Sequence, residues 1–426
     1  MAQQTPALSR QPDTDSENPG GFTHIPALDG IRGLAILLVL FHHLFWANGR
    51  TGMRIFDALS SIRASSYVGV DLFFALSGFL ITGILMDTVH VSHYFRSFYA
   101  RRSLRIFPLY YGVMLLLLCL TRPMHFVWNG MQYFNLTYTG NWMLLFPLPP
   151  FNLGRVDLNH FWSLQVEEQF YWVWPLVIYR FRGGMSVLRA SAIGCLAVLG
   201  IRLFLVAIRF YPILQDSFFG NPIFRSPYLT YSTTFSCADQ ILFGCCLAAL
   251  VRTSYRARVM QFAPRVLLAS SALLLALGIA NGGLSFTDPA NRITGFIVPT
   301  FGFSLIGIVC AATVACALTP ASLAQRLFQI PTLRFFGKYS YGIYVFHLPL
   351  DKFLAAPLRA FLNAHLRSRA LGVLFEASTV AAISVLVAWI SYHCYEVHFL
   401  RLKRFFGYNR TTEKSDEPHG LGDTRA

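Results

Sequence analysis

Ten apolar segments of membrane-spanning length constrain the fold of this chain more than any other feature of its sequence. A helix needs about 20 mostly apolar residues to cross the hydrocarbon core of a bilayer. Several segments are interrupted by Gly, Pro or a charged residue, as is typical of helices that pack closely or line a cavity. We therefore predict an all-α polytopic membrane protein with about ten transmembrane helices, which cover approximately residues 28–47, 66–86, 105–121, 160–180, 187–210, 229–251, 264–281, 294–317, 336–356 and 371–396.

The composition agrees with a membrane protein rather than with a soluble one. Hydrophobic residues make up 54% of the 426 residues and charged residues only 13%, whereas soluble domains carry about 25% charged residues. The formal net charge of +15 comes from Lys and Arg residues placed between the apolar segments, a distribution typical of contact with an anionic inner leaflet. The bilayer is therefore the partner that the charge indicates, and we expect no nucleic acid partner.

The same basic residues predict the orientation, because Lys and Arg favour loops on the cytoplasmic side. Their bias places both termini in the cytoplasm. Residues 1–24 are polar and contain Pro and Gly, so we expect a disordered cytoplasmic segment. A transmembrane domain over residues 25–400 and a basic, then polar, cytoplasmic tail over residues 401–426 follow. The long outer loop, residues 121–159, is compatible with a course along the interface and with one that dips into the protein.

The first apolar segment carries polar groups that a simple anchor does not need. Arg32 and His43 are eleven residues apart, which on a helix amounts to about 1100°, within about 20° of three whole turns. They therefore share one face, about 16 Å apart along the axis, while His42 points about 100° away. Polar groups at membrane depth usually mark a pathway or a site. The alternative is a snorkelling arginine and a histidine bonded to a neighbouring helix.

An acidic group follows in the second segment. Asp71 lies near the outer end of this segment, at a depth that we predict to be close to that of His43. A carboxylate that accepts a hydrogen bond from imidazole Nδ1–H fixes the tautomer and stabilises the imidazolium. We therefore predict that Asp71 is a group that orients the histidine, and a helix cap at the interface is an equally good interpretation.

A basic cluster precedes the third segment. Arg101 and Arg105 are one helical turn apart, and Arg102 lies beside them at the predicted cytoplasmic end. Guanidinium groups in such a cluster match phosphate oxygens through forked, charge-assisted hydrogen bonds. An ordinary basic flank of a transmembrane helix would give the same pattern.

The fourth segment contains two adjacent acids, Glu167 and Glu168, within an aromatic and apolar sequence. Buried carboxyl groups must be paired with cations or protonated, and the arginine and histidine of the first segment are partners of the right kind. This pattern favours a functional site over structural ion pairing. Later segments add two more polar groups, Asp239 in the sixth and His347 among hydroxyl-bearing residues in the ninth.

Five of these blocks, in this order, resemble the acyltransferase-three family of integral-membrane O-acyltransferases. Together they extend over roughly residues 25–405. Each block alone is moderately specific, and five in order make the resemblance strong. The matching motifs are Arg32-x10-His43, Gly69-Val70-Asp71-Leu72-Phe73-Phe74-x-Leu76-Ser77-Gly78-Phe79-Leu80-Ile81-Thr82, Arg101-Arg102-x-x-Arg105, Trp162-Ser163-Leu164-x-Val166-Glu167-Glu168-Gln169-Phe170-Tyr171, and Ser340-Tyr341-Gly342-Ile343-Tyr344-x-x-His347.

Two positions depart from the pattern of that family. The sixth segment has Cys237 two residues before Asp239, where Arg-Ala-Asp is usual, so that one cation is missing. Near the end, Glu396 is followed by Val-His rather than by Arg-Pro. We therefore expect the local ion pairs to differ from those of the family.

The resemblance implies an enzyme of the bacterial inner membrane that transfers a short acyl group, most often acetyl, from cytoplasmic acyl-CoA to a hydroxyl of a carbohydrate or another acceptor. It implies no metal ion. The basic cluster would hold the phosphates of the co-substrate, and His43 would be the general base, oriented by Asp71 or a glutamate. Arg32 and Ser or Tyr donors would stabilise the oxyanion. The further candidates for the site are Trp162, Ser163, Tyr171, Asp239, Ser340, Tyr341 and His347.

A proton-coupled transporter or exporter is the alternative from a different functional class, because intramembrane carboxylates and histidines also suit a proton relay. Many transporters consist of two similar halves. A second copy of the Arg-x10-His or Trp-Ser-Leu block would favour transport, and the sequence contains neither.

Overall fold

Helices account for the fold. The computed structural model describes residues 24–45, 62–63, 65–128, 130–145, 156–210, 229–282, 292–366 and 368–408, and within these ranges it contains no β-strand. Ten long helices run through the described ranges: α1 Pro26–Leu44, α2 Val68–Thr88, α3 Tyr94–Cys119, α4 Phe161–Phe181, α5 Gly184–Phe210, α6 Thr234–Leu250, α7 Arg256–Asn281, α8 Phe303–Leu318, α9 Pro331–His365 and α10 Arg369–Ser391.

All ten predicted segments coincide with these helices, so the prediction of an all-α polytopic membrane protein is confirmed. In the part of the chain that the structure describes, 8 helical runs are both long and apolar enough to cross a membrane. The other two helices, α4 and α9, have 21 and 35 residues and are also long enough. They contain more polar side chains, and many of the predicted site residues lie in them.

The largest difference from the predicted boundaries is at α3, which begins at Tyr94 rather than near residue 105. Arg101, Arg102 and Arg105 therefore lie within the helix and not before it. A run of apolar residues in the sequence marks only the part of a helix whose surroundings are apolar, and the helix itself can be longer. Backbone hydrogen bonding continues beyond it because arginine is a good helix former.

Glycines set the distance between α1 and α9. A Cβ atom on Gly33 would lie 1.9 Å from the carbonyl oxygen of Leu333, and one on Gly337 would lie 1.9 Å from a carbonyl oxygen of α1. Small residues of this kind let two membrane helices approach to backbone contact. The contact aligns α1 with α9, so that His43 and His347 lie side by side further along the two helices.

The same kind of close glycine contact joins α2 to α6. A Cβ atom on Gly78 would lie 1.9 Å from the carbonyl oxygen of Ile241, and one on Gly244 would lie 1.9 Å from that of Ala75. The helices α1, α2, α6 and α9 thereby form a connected centre, against which α5, α8 and α10 pack. On one side of this centre, α3 contacts α9 and α4 contacts α2.

The described part of the long loop after α3 dips into the protein. It forms the short helices Thr121–Met124 and Met131–Leu136 and a 3₁₀ helix at Gly140–Leu145. The amide of Gln165 in α4 donates to Asn135 Oδ1 at 2.8 Å. This hydrogen bond holds the loop against the buried face of α4, close to Glu167 and Glu168.

The last helix continues beyond its predicted end. α10 is followed without a break by Tyr392–Glu396 and Val397–Arg401, and then by the 3₁₀ helix Leu402–Phe406, which packs against α3. Residues 1–23 of the predicted N-terminal segment and residues 409–426 of the predicted tail lie outside the described ranges.

Candidate active site

A cavity of about 110 Å³ lies between α1, α2, α3, α4 and α9. We call it the five-helix cavity. One wall is apolar and comes largely from α2, and polar side chains from all five helices face the interior. The polar lining residues are Arg32, Ser77, Arg102, Arg105, Ser163, Glu167, Glu168, Tyr171, Ser340, Tyr341 and Tyr344. All of these except Ser77 and Tyr344 are among the residues predicted from the sequence.

Three arginines face the five-helix cavity. Arg32 donates to the carboxylate of Asp29, one turn earlier in α1, at 3.1 Å. The guanidinium of Arg102 lies 5.6 Å from the ring centre of Tyr171, a favourable cation–π arrangement. Among the described residues, neither Arg102 nor Arg105 forms an ion pair with a carboxylate. Two guanidinium groups are therefore available to an anion.

The adjacent glutamates have different surroundings. The hydroxyl of Tyr171 donates to Glu167 Oε1 at 2.8 Å, and the hydroxyl of Ser77 contacts the same tyrosine hydroxyl. Glu168 is almost fully buried, and its Oε2 has no hydrogen-bond partner among the described residues. Buried polar atoms without a partner are uncommon and indicate a place that a ligand or water completes. Both glutamates thus belong to one polar lining.

Three histidines cluster beside the five-helix cavity. Nδ1 of His43 lies 3.1 Å from the carbonyl oxygen of Val39 and 3.2 Å from Nε2 of His347. The rings of His160 and His347 are 4.9 Å apart between centres. Nδ1 of His347 lies 2.7 Å from the carbonyl oxygen of Tyr344, whose side chain lines the cavity. Tyr344 therefore connects the histidine cluster to the cavity.

Two hydroxyl groups lie at this junction. The hydroxyl of Tyr344 donates to the carbonyl oxygen of His160 at 2.9 Å and lies 2.5 Å from the hydroxyl of Ser163. Ser163 donates to the same carbonyl oxygen at 3.2 Å. Within the described ranges, no three His, Cys, Asp or Glu side chains are arranged to hold a metal ion.

The other candidates from α4 and α9 make structural contacts. The hydroxyl of Tyr341 donates to the carbonyl oxygen of Ile106 in α3 at 2.7 Å, and that of Ser340 donates within its own helix at 2.9 Å. Trp162 packs edge-on against Phe74, with ring centres 6.1 Å apart, and is not among the cavity-lining residues. These side chains shape the cavity wall through packing and backbone hydrogen bonds.

Arg101 does not line the five-helix cavity, which corrects the prediction that all three arginines of the basic cluster face one site. Its guanidinium donates to the carbonyl oxygens of Lys403 at 3.2 Å and Phe406 at 3.5 Å, and lies 5.6 Å from the ring centre of Tyr408. Consecutive helical residues point about 100° apart. Arg101 therefore faces the C-terminal turn, whereas Arg102 faces the cavity.

Asp71 does not reach His43, so the prediction that it orients this histidine is wrong. The carboxyl group is fully buried, and neither oxygen has a hydrogen-bond partner among the described residues. A Cβ atom on Gly69 would lie 2.6 Å from the carbonyl oxygen of Ala35. This end of α2 thus packs against α1 about two turns before His43.

Asp239 belongs to a separate ionic group, which we call the closed cluster, together with Arg202 of α5 and Ser304 of α8. Nη2 of Arg202 donates to Asp239 Oδ2 at 2.5 Å and to the Ser304 hydroxyl at 2.6 Å, and Ser304 donates to Asp239 at 2.8 Å. Both charged side chains are 0% exposed. Arg202 thus supplies the cation that is missing at Cys237.

Four residues of these sites are not among the residues predicted from the sequence: Ser77, His160, Arg202 and Tyr344. For Arg202 the sequence contains a signal, because a lone arginine inside an apolar segment is costly unless it is paired within the protein. Ser77 and Tyr344 lie within the recognised motifs, and His160 is the first residue of the fourth segment.

Comparisons with known proteins agree with this architecture. A family profile described as an acyltransferase domain matches residues 25–393. The chain is 28% identical over 400 residues to YrhL of Bacillus subtilis, which carries the provisional name peptidoglycan O-acetyltransferase, and the match covers 91% of this chain and 56% of YrhL. It is 27% identical over 347 residues to the peptidoglycan O-acetyltransferase OatA of Listeria monocytogenes, covering 77% of this chain and 49% of OatA.

A third relative is the O-acetyltransferase OatA of Staphylococcus aureus, which is 25% identical over 359 residues, or 78% of this chain and 51% of the relative. The chain therefore spans about half the length of the curated relatives that it matches. No solved structure matches it. Because the acyltransferase profile covers most of the chain, this protein belongs to the acyltransferase-three family.

Proposed function

We propose that this protein is an integral-membrane O-acyltransferase that moves a short acyl group from acyl-CoA to a hydroxyl of a carbohydrate. The observation that carries the proposal is the five-helix cavity, in which guanidinium groups without a carboxylate partner are connected to a histidine cluster. An anion site, a small chamber and a titratable base suit acyl transfer from a donor that bears phosphates. Membership in the acyltransferase-three family supports the same reaction class.

The donor site in this proposal is the part of the cavity that Arg102 and Arg105 line. Their guanidinium groups bind the phosphates of acyl-CoA through charge-assisted hydrogen bonds. Arg101 lies outside this donor site and holds the C-terminal turn instead.

The reaction then proceeds by general base catalysis. The acceptor hydroxyl gives its proton to His43 while its oxygen attacks the thioester carbonyl carbon. The hydroxyls of Ser163 and Tyr344, which in this structure donate to the carbonyl oxygen of His160, rotate to the oxyanion of the tetrahedral adduct and stabilise it. Arg32 lies three turns from His43 in α1 and adds to the positive charge of the cavity lining. The carbon–sulfur bond breaks, CoA leaves as the thiolate, and the proton held by His43 restores the thiol. The products are an acyl ester and free CoA.

The glutamates have a supporting role in this scheme. Glu167, which Tyr171 holds by a hydrogen bond, and Glu168 offset part of the positive charge of the three lining arginines. Without them, three guanidinium groups in one small cavity would repel one another. With them, the cavity remains cationic enough to attract phosphates.

The acceptor that we propose is a carbohydrate of the bacterial cell envelope. Two of the relatives are named as peptidoglycan O-acetyltransferases, so peptidoglycan is the first acceptor to test. The site of action is the inner membrane, with both termini in the cytoplasm. In that orientation Arg102 and Arg105 open towards the cytoplasmic donor, and His43 lies towards the outer side.

The test is release of free thiol from acetyl-CoA by the purified protein in lipid vesicles, with soluble peptidoglycan fragments as acceptor. We expect acceptor-dependent thiol release, and we expect His43→Ala to reduce it by about 10²–10⁴-fold, the usual contribution of a positioned base. His42→Gln is the matched control. His42 lies next in the chain, but its ring contacts the carbonyl oxygen of Arg63.

Two outcomes would contradict the proposal. Full activity of His43→Ala would exclude His43 as the base. Absence of acetylated fragments and of thiol release in the wild type, combined with uptake or efflux of a solute coupled to protons, would favour the transporter alternative.

A further inference from the structure

We infer that His347 is the positioning residue of His43: it fixes the tautomer of the base and shares the positive charge when His43 accepts a proton. The inference rests on the proposed function. It assigns to a histidine the role of orienting His43, which the sequence predicts for Asp71 or a glutamate. It follows from the hydrogen bonds of the two rings, from the absence of a carboxylate partner and from the packing of α1 on α9.

The hydrogen bonds determine the protonation of both rings. A carbonyl oxygen only accepts, so Nδ1 of His347, which lies 2.7 Å from the carbonyl oxygen of Tyr344, carries a proton. Nε2 of the neutral His347 ring is then an acceptor. Nδ1 of His43, near both the carbonyl oxygen of Val39 and this acceptor, must carry the proton of its own ring. The lone pair of His43 is therefore on Nε2, which makes Nε2 the basic atom.

No carboxylate takes this place in the described part of the chain. The oxygens of Asp71 have no hydrogen-bond partner, and Glu167 accepts from Tyr171. A neutral imidazole has a physical advantage as the partner of a buried base, because an ionised carboxylate in an apolar environment is costly without a permanent cation. The pair formed by His43 and His347 stays uncharged until the reaction supplies a proton.

Packing holds the second ring in place. His347 is 0% exposed, and its ring lies between those of His43 and His160, with ring centres 5.0 and 4.9 Å away. The backbone contact at Gly33 and Gly337 fixes α1 against α9. Rotation of the ring would break its hydrogen bond to the carbonyl oxygen of Tyr344.

The proton balance is simple. The acceptor oxygen loses its proton to Nε2 of His43 and forms a bond to the acyl carbon. The imidazolium then shares its Nδ1 proton with Nε2 of His347, which spreads the positive charge over two rings. The proton on Nε2 finally passes to the thiolate of CoA, so no oxidant or further reactant is required.

Two substitutions of His347 separate its hydrogen-bonding role from its shape. His347→Gln keeps an acceptor oxygen near the position of Nε2, whereas His347→Leu keeps a similar volume without an acceptor. We expect kcat to fall about 10- to 100-fold in the leucine variant, a part of the roughly 10²–10⁴-fold that a positioned base contributes. We expect the glutamine variant to keep most of the activity, and KM for acetyl-CoA to remain unchanged in both.

The matched control is His393→Leu, which removes another histidine that contacts a hydroxyl on a different helix, here Tyr339 at 3.1 Å. It should keep the activity of the wild type. Equal losses in the glutamine and leucine variants, at unchanged melting temperature, would overturn the positioning role, and so would full activity of His347→Leu. If His43→Ala is inactive in the same assay, the proposed function stands in either case.

Discussion

The closed cluster and the five-helix cavity both place charged groups inside the bundle, but they differ in how these charges are satisfied. In the closed cluster, Arg202 and Asp239 are fully buried and bond to each other and to Ser304. In the cavity, Arg102 and Arg105 line open space and form no ion pair within the described ranges. Charges that satisfy one another support the fold, and charges that face a cavity are available to a ligand.

The comparison predicts opposite effects of arginine substitutions in the two places. An arginine of the closed cluster should affect stability first, because its removal leaves a buried carboxylate without a cationic partner. An arginine of the cavity should affect donor binding first, because the ligand is its partner.

The largest effect is expected from Arg202→Leu. Removing one partner of a buried ion pair typically costs about 3–5 kcal/mol, so the purified variant should melt well below the wild type or fail to accumulate. The double variant Arg202→Leu/Asp239→Leu should recover much of this loss because it leaves no isolated charge. Thermal unfolding in detergent measures both.

The control for this prediction is Arg252→Leu. Arg252 and Asp87 form an ion pair at 2.6 Å whose side chains are 26% and 37% exposed, and exposed pairs of this kind contribute about 0–1 kcal/mol. If the double variant Arg202→Leu/Asp239→Leu is no more stable than either single variant, the two charged groups of the closed cluster do not stabilise each other, which contradicts the prediction.

An intermediate effect is expected from Arg102→Ala and Arg105→Ala. A hydrogen bond to a charged group contributes about 1.5–3 kcal/mol, so each substitution should raise KM for acetyl-CoA about 10- to 100-fold. The melting temperature should change little. Arg122→Ala is the control for net charge, since Arg122 lies in the short helix Thr121–Met124 and does not line the cavity. An unchanged KM in both cavity variants would remove the proposed phosphate site.

The smallest effect is expected from Arg101→Ala. This substitution removes two long hydrogen bonds, to the carbonyl oxygens of Lys403 at 3.2 Å and Phe406 at 3.5 Å, and should leave KM for acetyl-CoA near the wild-type value. Limited proteolysis should detect a more accessible C-terminal turn. A rise in KM as large as that of Arg102→Ala would place Arg101 in the donor site after all.

The fold could be predicted from the sequence because hydrophobic runs of spanning length permit few alternatives. Helix α4 illustrates how close the prediction is, since residues 160–180 were expected and Phe161–Phe181 is observed. The start of α3 could not be predicted in this way, because Arg and polar residues extend a helix beyond its apolar part.

The site could be predicted only as a list of residues. Periodicity correctly separated His43 from His42, whose ring contacts the carbonyl oxygen of Arg63. Periodicity within one helix cannot show which helices are neighbours, however. The pairing of Arg202 with Asp239 and that of His43 with His347 depend on how the helices pack.

Glycines decide this packing, and their effect is hidden in a linear sequence. The contacts of Gly33 and Gly78 with backbone oxygens of other helices fix which side chains meet, although glycine itself carries none. For the same reason, the prediction that Asp71 lies at the depth of His43 differs from the structure. The close contact of Gly69 with α1 puts the carboxylate of Asp71 about two turns nearer to the N-terminus of α1 than His43.

A cryo-EM structure with a ketone analogue of acetyl-CoA, in which a methylene group between sulfur and carbonyl prevents transfer, tests the central claim most directly. The account predicts phosphate oxygens about 2.7–2.9 Å from the guanidinium nitrogens of Arg102 and Arg105, and the analogue's carbonyl in the five-helix cavity, directed towards His43. An analogue bound at another surface, with the five-helix cavity empty at saturating concentration, would contradict it.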